Sequence, residues 1–107
     1  MKWKFCCSLI FFLSILSSKS WADVWCTENI TSLIVHDNGN IYLETDQTCI
    51  SSWCQISLST PAANNNAYAM LLSAKMAGKK VTFEWGSLSS CAAQNPVYSS
   101  PYALSIS

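Results

Sequence analysis

Four cysteines, Cys26, Cys49, Cys54 and Cys91, are spread through residues 23–107, and no other feature limits the fold of this chain as much. A segment of that size buries a limited core and commonly relies on covalent staples. An even number of cysteines in a short exported chain predicts two disulfides, and of the three possible pairings the sequence itself selects none. Zinc would ask for paired C-x-x-C spacings or a second imidazole. The chain has neither, since His36 is its single histidine. No metal or other cofactor is expected.

Export is read from residues 1–22. Lys2 and Lys4 precede the apolar run "LIFFLSILSS", and Ser20-Trp21-Ala22 places small residues at the minus-three and minus-one positions of a cleavage site. Cleavage is expected between Ala22 and Asp23. An apolar stretch of roughly 12 residues, against the roughly 20 that span a bilayer, predicts a signal peptide and no membrane anchor. Cys6 and Cys7 leave with this segment, and Cys26 lacks the small residues that precede a lipidated cysteine. The product, residues 23–107, is expected to be a single domain that is secreted or periplasmic.

Removing the leader changes the charge. Lys75, Lys79 and Lys80 then face six carboxylates, Asp23, Glu28, Asp37, Glu44, Asp46 and Glu84, for a formal charge of −3. With no arginine anywhere, the chain offers no basic footprint for a phosphate backbone, so no nucleic-acid partner is expected.

Hydrophobic alternation marks the strands. Ile30 to His36 and Ile41 to Glu44 flank Asp37-Asn38-Gly39-Asn40, whose residues tolerate positive φ, and together they predict a hairpin. Asn29-Ile30-Thr31 matches a glycosylation sequon. In "WCQISLS", Cys54, Ile56 and Leu58 point to one face while Trp53, Gln55, Ser57 and Ser59 point to the other. After the turn-rich "TPAANNN", the run "AYAMLLSAKMAG" predicts a helix capped by Asn64, Asn65 or Asn66 and ended by Gly78. Met70, Leu71, Ala74 and Ala67 share one arc of it, and Tyr68, Leu72 and Met76 continue round a second. "VTFEW" follows as a strand with Val81, Phe83 and Trp85 inward. The last strand, "YALSIS", is separated from it by a long loop of the kind that often carries function.

Strand, strand, strand, helix, strand, strand is the order of the five-stranded oligonucleotide/oligosaccharide-binding (OB) barrel. A small open sheet with one packed helix has the same order. In the barrel, the strand from Ile30 pairs with both the second and the fourth strands, and all four cysteines gather near one end.

The runs "NGNIYLETD…C" and "AYAMLLSAKMAGKKVTFEW…C" resemble a set of small exported, mostly uncharacterised bacterial proteins. The shared features are Ala67-Tyr68, Leu71-Leu72, Ala74, Gly78-Lys79 and Val81, with Cys49 and Cys91 in the expected places. That set in turn looks like the OB-fold B subunits of AB-type toxins, which form rings, commonly pentamers, and bind cell-surface glycans. The resemblance implies a Cys49 to Cys91 bridge, leaving Cys26 with Cys54. It further implies that Tyr68, Leu72 and Met76 adjoin a subunit interface, because the corresponding toxin helix packs on its own barrel and on its neighbours. The competing expectation is a monomer in which the two polar loops fold over that side of the helix.

Catalysis is not expected: His36 and Asp37 lie in a turn where their side chains need not meet, and no nucleophile and base form a recognisable pair. Sugar binding fits the residue types better, because sugars are held by aromatic faces beside hydroxyl and amide groups. Trp53 with Gln55, Ser51 and Ser52 forms one candidate patch, and Tyr98 and Tyr102 beside Asn95 form another. Trp25, next to Cys26, is expected to cover a disulfide. Two functions follow: a lectin-like, ring-forming subunit for cell-surface glycans, or a monomeric module that binds an exported protein as an inhibitor or accessory factor.

Overall fold

Among the described residues, backbone pairing gathers six strands into two three-stranded antiparallel sheets, and one helix packs against them. The structure, a computed structural model, describes residues 23–106. The expected signal peptide, with Cys6 and Cys7, lies outside the described residues. One sheet holds β1 (Val24–Glu28), β5 (Val81–Trp85) and β6 (Ala103–Ile106), in the order β1-β5-β6. The other holds β2 (Ile30–Val35), β3 (Ile41–Thr45) and β4 (Cys54–Ile56), in that order. The helix α1 (Pro61–Ala77) packs against β2, β4 and β6.

The mainly β, one-helix expectation therefore stands, but a closed five-stranded barrel does not form. The difference begins at β1, which the alternation of the sequence does not reveal. The strand predicted from Ile30 pairs only with β3, while the second partnership expected of it, with the "VTFEW" strand, falls to β1 through Cys26 opposite Phe83 and Glu28 opposite Val81. The chain changes sheets at Asn29. There the Asn29 backbone N–H and side-chain amide both donate to the Asp46 carboxylate at 2.9 Å, and Asp46 N–H donates back to Asn29 O at 3.1 Å. The side-chain bond from Asn29 is the main influence holding the Asp46 carboxyl below its ordinary pKa. The sequon asparagine thus holds the crossing between sheets.

Both sheets turn their apolar faces to α1. Ile41, Leu43 and Ile56 from one, and Val81, Phe83 and Trp85 from the other, are buried with Ala67, Leu71 and Ala74 of the helix. The Phe83 and Trp85 rings pack with centroids 5.4 Å apart. The helix starts earlier than the sequence predicts, because Thr60 is the cap: its hydroxyl accepts from Ala63 N–H at 3.0 Å, with Pro61 at the first position where no N–H is needed. None of the three asparagines caps it, and Asn64 instead accepts the Leu58 N–H at 2.7 Å. The predicted stop at Gly78 holds. Its φ of 68° is left-handed, and Lys79 N–H reaches back to Ala74 O at 2.9 Å.

The disulfides are Cys26–Cys91 and Cys49–Cys54. This corrects the pairing implied by the resemblance, Cys49 with Cys91 and Cys26 with Cys54. The reason lies in β1: placing Cys26 inside a strand beside β5 carries it to the long loop at Cys91, while Cys49 and Cys54 close the short connection between β3 and β4. Trp25 does not bury itself over the bridge. It projects from the outer face of β1, exposed, opposite Glu84 in the β1–β5 register.

Candidate functional site

The outer face of the β2-β3-β4 sheet follows from its register. Ile34 lies opposite Tyr42, and Tyr42 opposite Gln55, so the three side chains share one face, with Ser32 and Glu44 next along it. The hairpin at one end closes through His36 N–H to Asn40 O at 2.8 Å, and Gly39 takes a φ of 90°. That turn brings His36 beside Tyr42, the rings edge-on with centroids 6.0 Å apart.

The long loop after β5 completes the site. Asn95 N–H donates to Thr48 O at 2.8 Å, Tyr98 N–H to Trp53 O at 2.7 Å and Gln55 N–H to Ser99 O at 2.9 Å. Side chains zip the same seam, with Ile50 N–H donating to Gln94 at 3.1 Å and Ser57 N–H to Ser100 at 2.8 Å. The loop therefore runs along β4 and occupies the edge of that sheet, where open backbone groups would otherwise face solvent. Within it, Tyr98 has a φ of 65°, the left-handed region that an aromatic L-residue enters at a cost of about 1–2 kcal/mol. Its ring packs on Tyr42 with centroids 5.5 Å apart.

These elements enclose a cleft of about 270 Å³ lined by Ile34, His36, Tyr42, Trp53 and Tyr98. Four of its five walls are aromatic or imidazole rings, and the cleft lies open at the surface. Gln55 is half-buried beside Tyr42, and the Tyr42 hydroxyl accepts from the Asn40 amide at 3.0 Å. His36 Nδ1 and Asp37 Oδ1 do meet, at 3.2 Å, although the turn did not require it. No protein-family model, no curated protein and no solved structure matches this chain.

Of the residues expected to bind sugar, Trp53 and Tyr98 meet in this cleft, and Gln55 lies next to it. Ser51 is exposed, while Ser52 spends its hydroxyl on Asn95 O at 3.0 Å. Asn95 is corrected outright. It is only 3% exposed, its amide nitrogen donates to Thr48 at 3.1 Å, and its oxygen accepts from Ser87 at 2.5 Å, leaving nothing for a ligand. Tyr102 faces a different hollow with Leu58, Ala63 and Pro101. Its ring lies across Gly86, where any Cβ would stand 2.5 Å from it. Tyr42, Ile34 and His36 were missed. Alternation through Ile41 and Leu43 already turns Tyr42 outward, and the hairpin register would have placed Ile34 beside it.

A buried carboxylate lies beneath the disulfide end. Glu28, 1% exposed, accepts from the Thr45 hydroxyl at 2.5 Å, from Thr48 N–H at 2.8 Å and hydroxyl at 2.9 Å, and from Trp85 Nε1–H at 3.0 Å. Asn95 joins the same network through Thr48. Glu28 thereby ties β1 to β3, to the β3–β4 connection, to β5 and to the loop that carries Tyr98. All of these partners are protein groups, so the network orders the scaffold behind the cleft.

On α1, Tyr68 is half-buried against the core, whereas Leu72 is 38% and Met76 80% exposed. The loops do not cover these two. Among the described residues there is no helix long and apolar enough to cross a membrane and no cluster of metal-ligating side chains.

Proposed function

We propose that this protein is a secreted, non-enzymatic, lectin-like domain whose cleft takes a sugar ring from a cell-surface glycan. The observation that carries the reading is the convergence of Trp53, Tyr42 and Tyr98 from three separate segments onto one open cleft, with Tyr98 held in a left-handed conformation to complete it. Strain of that kind persists where the surroundings enforce it, and it concentrates at binding sites. An aromatic wall with Gln55 and the Tyr42 hydroxyl beside it matches the apolar face and polar rim of a pyranose. Two disulfides suit an oxidising compartment.

The same reading takes the fold as an opened OB barrel. β1 and β2 would be its first strand, bent at Asn29, and the loop at Ser99 would bridge the gap between β4 and β6. Trp53→Ala should weaken binding on a glycan array by about 30-fold, the size of a lost central anchor of about 2 kcal/mol. Tyr102→Ala, outside the cleft, is the control. Unchanged binding by Trp53→Ala would reject the cleft.

Assembly is the second reading. Leu72 and Met76 leave an apolar stripe open on α1, and a second copy of this chain, in a ring such as a pentamer, would cover it. Light scattering of the oxidised protein should give a multiple of the protomer mass that Leu72→Glu with Met76→Glu reduces to one. A monomeric wild type would instead favour a module for an exported protein partner.

A further inference from the structure

We infer that the cleft is selective for uncharged sugars and discriminates against carboxylated ones such as sialates and uronates. This rests on the proposed lectin-like function and adds the ligand's charge to it. Among the described residues no lysine lines the cleft, and the chain contains no arginine. The described lysines lie elsewhere: Lys75 in the last turn of α1, Lys79 just after Gly78, and Lys80 close enough to Asp46 to help lower its pKa. Asp46 follows the end of β3 opposite the hairpin, so that cationic cluster is remote from His36 and Tyr42.

Carboxylates are closer. Asp37 adjoins His36 on the rim. Glu44 shares the sheet face of Tyr42, two residues along β3, a distance of about 7 Å. His36, the one imidazole in the cleft, has its Nδ1 on Asp37 Oδ1 at 3.2 Å, so a carboxylate already occupies that edge of the ring. A ligand carboxylate would approach two like charges, with no lysine of the described residues in the cleft and only the Nε2 edge of His36 left to meet it. Its bidentate partner elsewhere is usually arginine, which this chain lacks.

Size and shape fit a single sugar ring. The Tyr42 and Tyr98 rings pack with centroids 5.5 Å apart and planes 49° apart, forming an angled wall. At about 270 Å³ the cleft falls just under the roughly 300–1,000 Å³ of sites for drug-sized ligands, room for a single ring stacked on that wall. A neutral hexose or N-acetylhexosamine presents the apolar ring face such a wall accepts, and its hydroxyls meet Gln55 and the Tyr42 hydroxyl.

The test is a glycan array of matched pairs, each chain ending either in a neutral hexose or in the same hexose capped by sialate, followed by titration of the strongest pair. The uncapped member should bind at least tenfold more tightly. Asp37→Asn with Glu44→Gln should narrow that gap several-fold by raising affinity for the capped member. Equal or tighter binding of capped chains, still lost in Trp53→Ala, would overturn the charge inference while leaving the lectin reading intact. Binding to no sugar in either set would overturn both.

Discussion

Glu28→Gln is expected to lower the stability of the oxidised protein by about 3 kcal/mol, although the two side chains have the same shape. Thr48 N–H points at one carboxylate oxygen at 2.8 Å, and Trp85 Nε1–H points at the other at 3.0 Å. Neither group can accept. Whichever oxygen becomes an amide nitrogen, one buried N–H then faces another, and no flip of the amide relieves both. The Thr45 and Thr48 hydroxyls can rotate, but the two N–H groups cannot. A double-mutant cycle checks the mechanism: Trp85→Phe should cost about 1–2 kcal/mol less in the Glu28→Gln background than in the wild type, because its N–H bond is already spoiled. Urea denaturation measures both. A loss below about 1 kcal/mol for Glu28→Gln would mean that the donors find other acceptors and that Glu28 does not organise the scaffold.

The second large effect separates the two disulfides. Cys26–Cys91 spans 65 residues of sequence and Cys49–Cys54 spans 5. Loop-closure entropy assigns about 4 kcal/mol to the first and about 2 kcal/mol to the second. Replacing Cys26 and Cys91 together by alanine should therefore cost roughly twice as much stability as replacing Cys49 and Cys54. Under the proposed lectin-like function, sugar binding should rank the other way. Cys54 directly follows Trp53, and the short bridge fixes the connection on which Tyr98 N–H rests through Trp53 O, whereas Cys91 is attached several residues before the cleft. Thermal unfolding and glycan titration of the two variants give both orders. Equal stability losses would show that native-state strain or residual unfolded-state structure outweighs the entropy of the long loop.

The legible parts of this fold were those set by local pattern. Val81, Phe83 and Trp85 alternate without exception and are buried, and Gly78 supplies the left-handed residue that ends α1. The strand β1 was illegible because its inward positions are Cys26 and Glu28, and a glutamate reads as outward until its four donor groups are known. Without β1 the strand order left the disulfides open and the resemblance misdirected them, since pairing depends on which strand lies beside β5. Trp53 and Tyr98 were legible as candidates by residue type, but their meeting depends on backbone bonds between segments more than forty residues apart in sequence. Asn95 shows the converse: the polar residue that looks available in sequence is the one the fold consumes.

The span of Cys26–Cys91 also bears on the order in which the chain is made. Synthesis delivers β2, β3 and β4 as neighbours in sequence, so that sheet and the Cys49–Cys54 bridge need nothing that comes later. β1 is made first yet has no partner until β5 appears, and Cys26 must stay unpaired while Cys49 and Cys54 emerge ahead of Cys91. An oxidant acting before the chain is complete would offer Cys26 the wrong thiols. Early closure of the short bridge would remove both competitors and reserve Cys26 for Cys91.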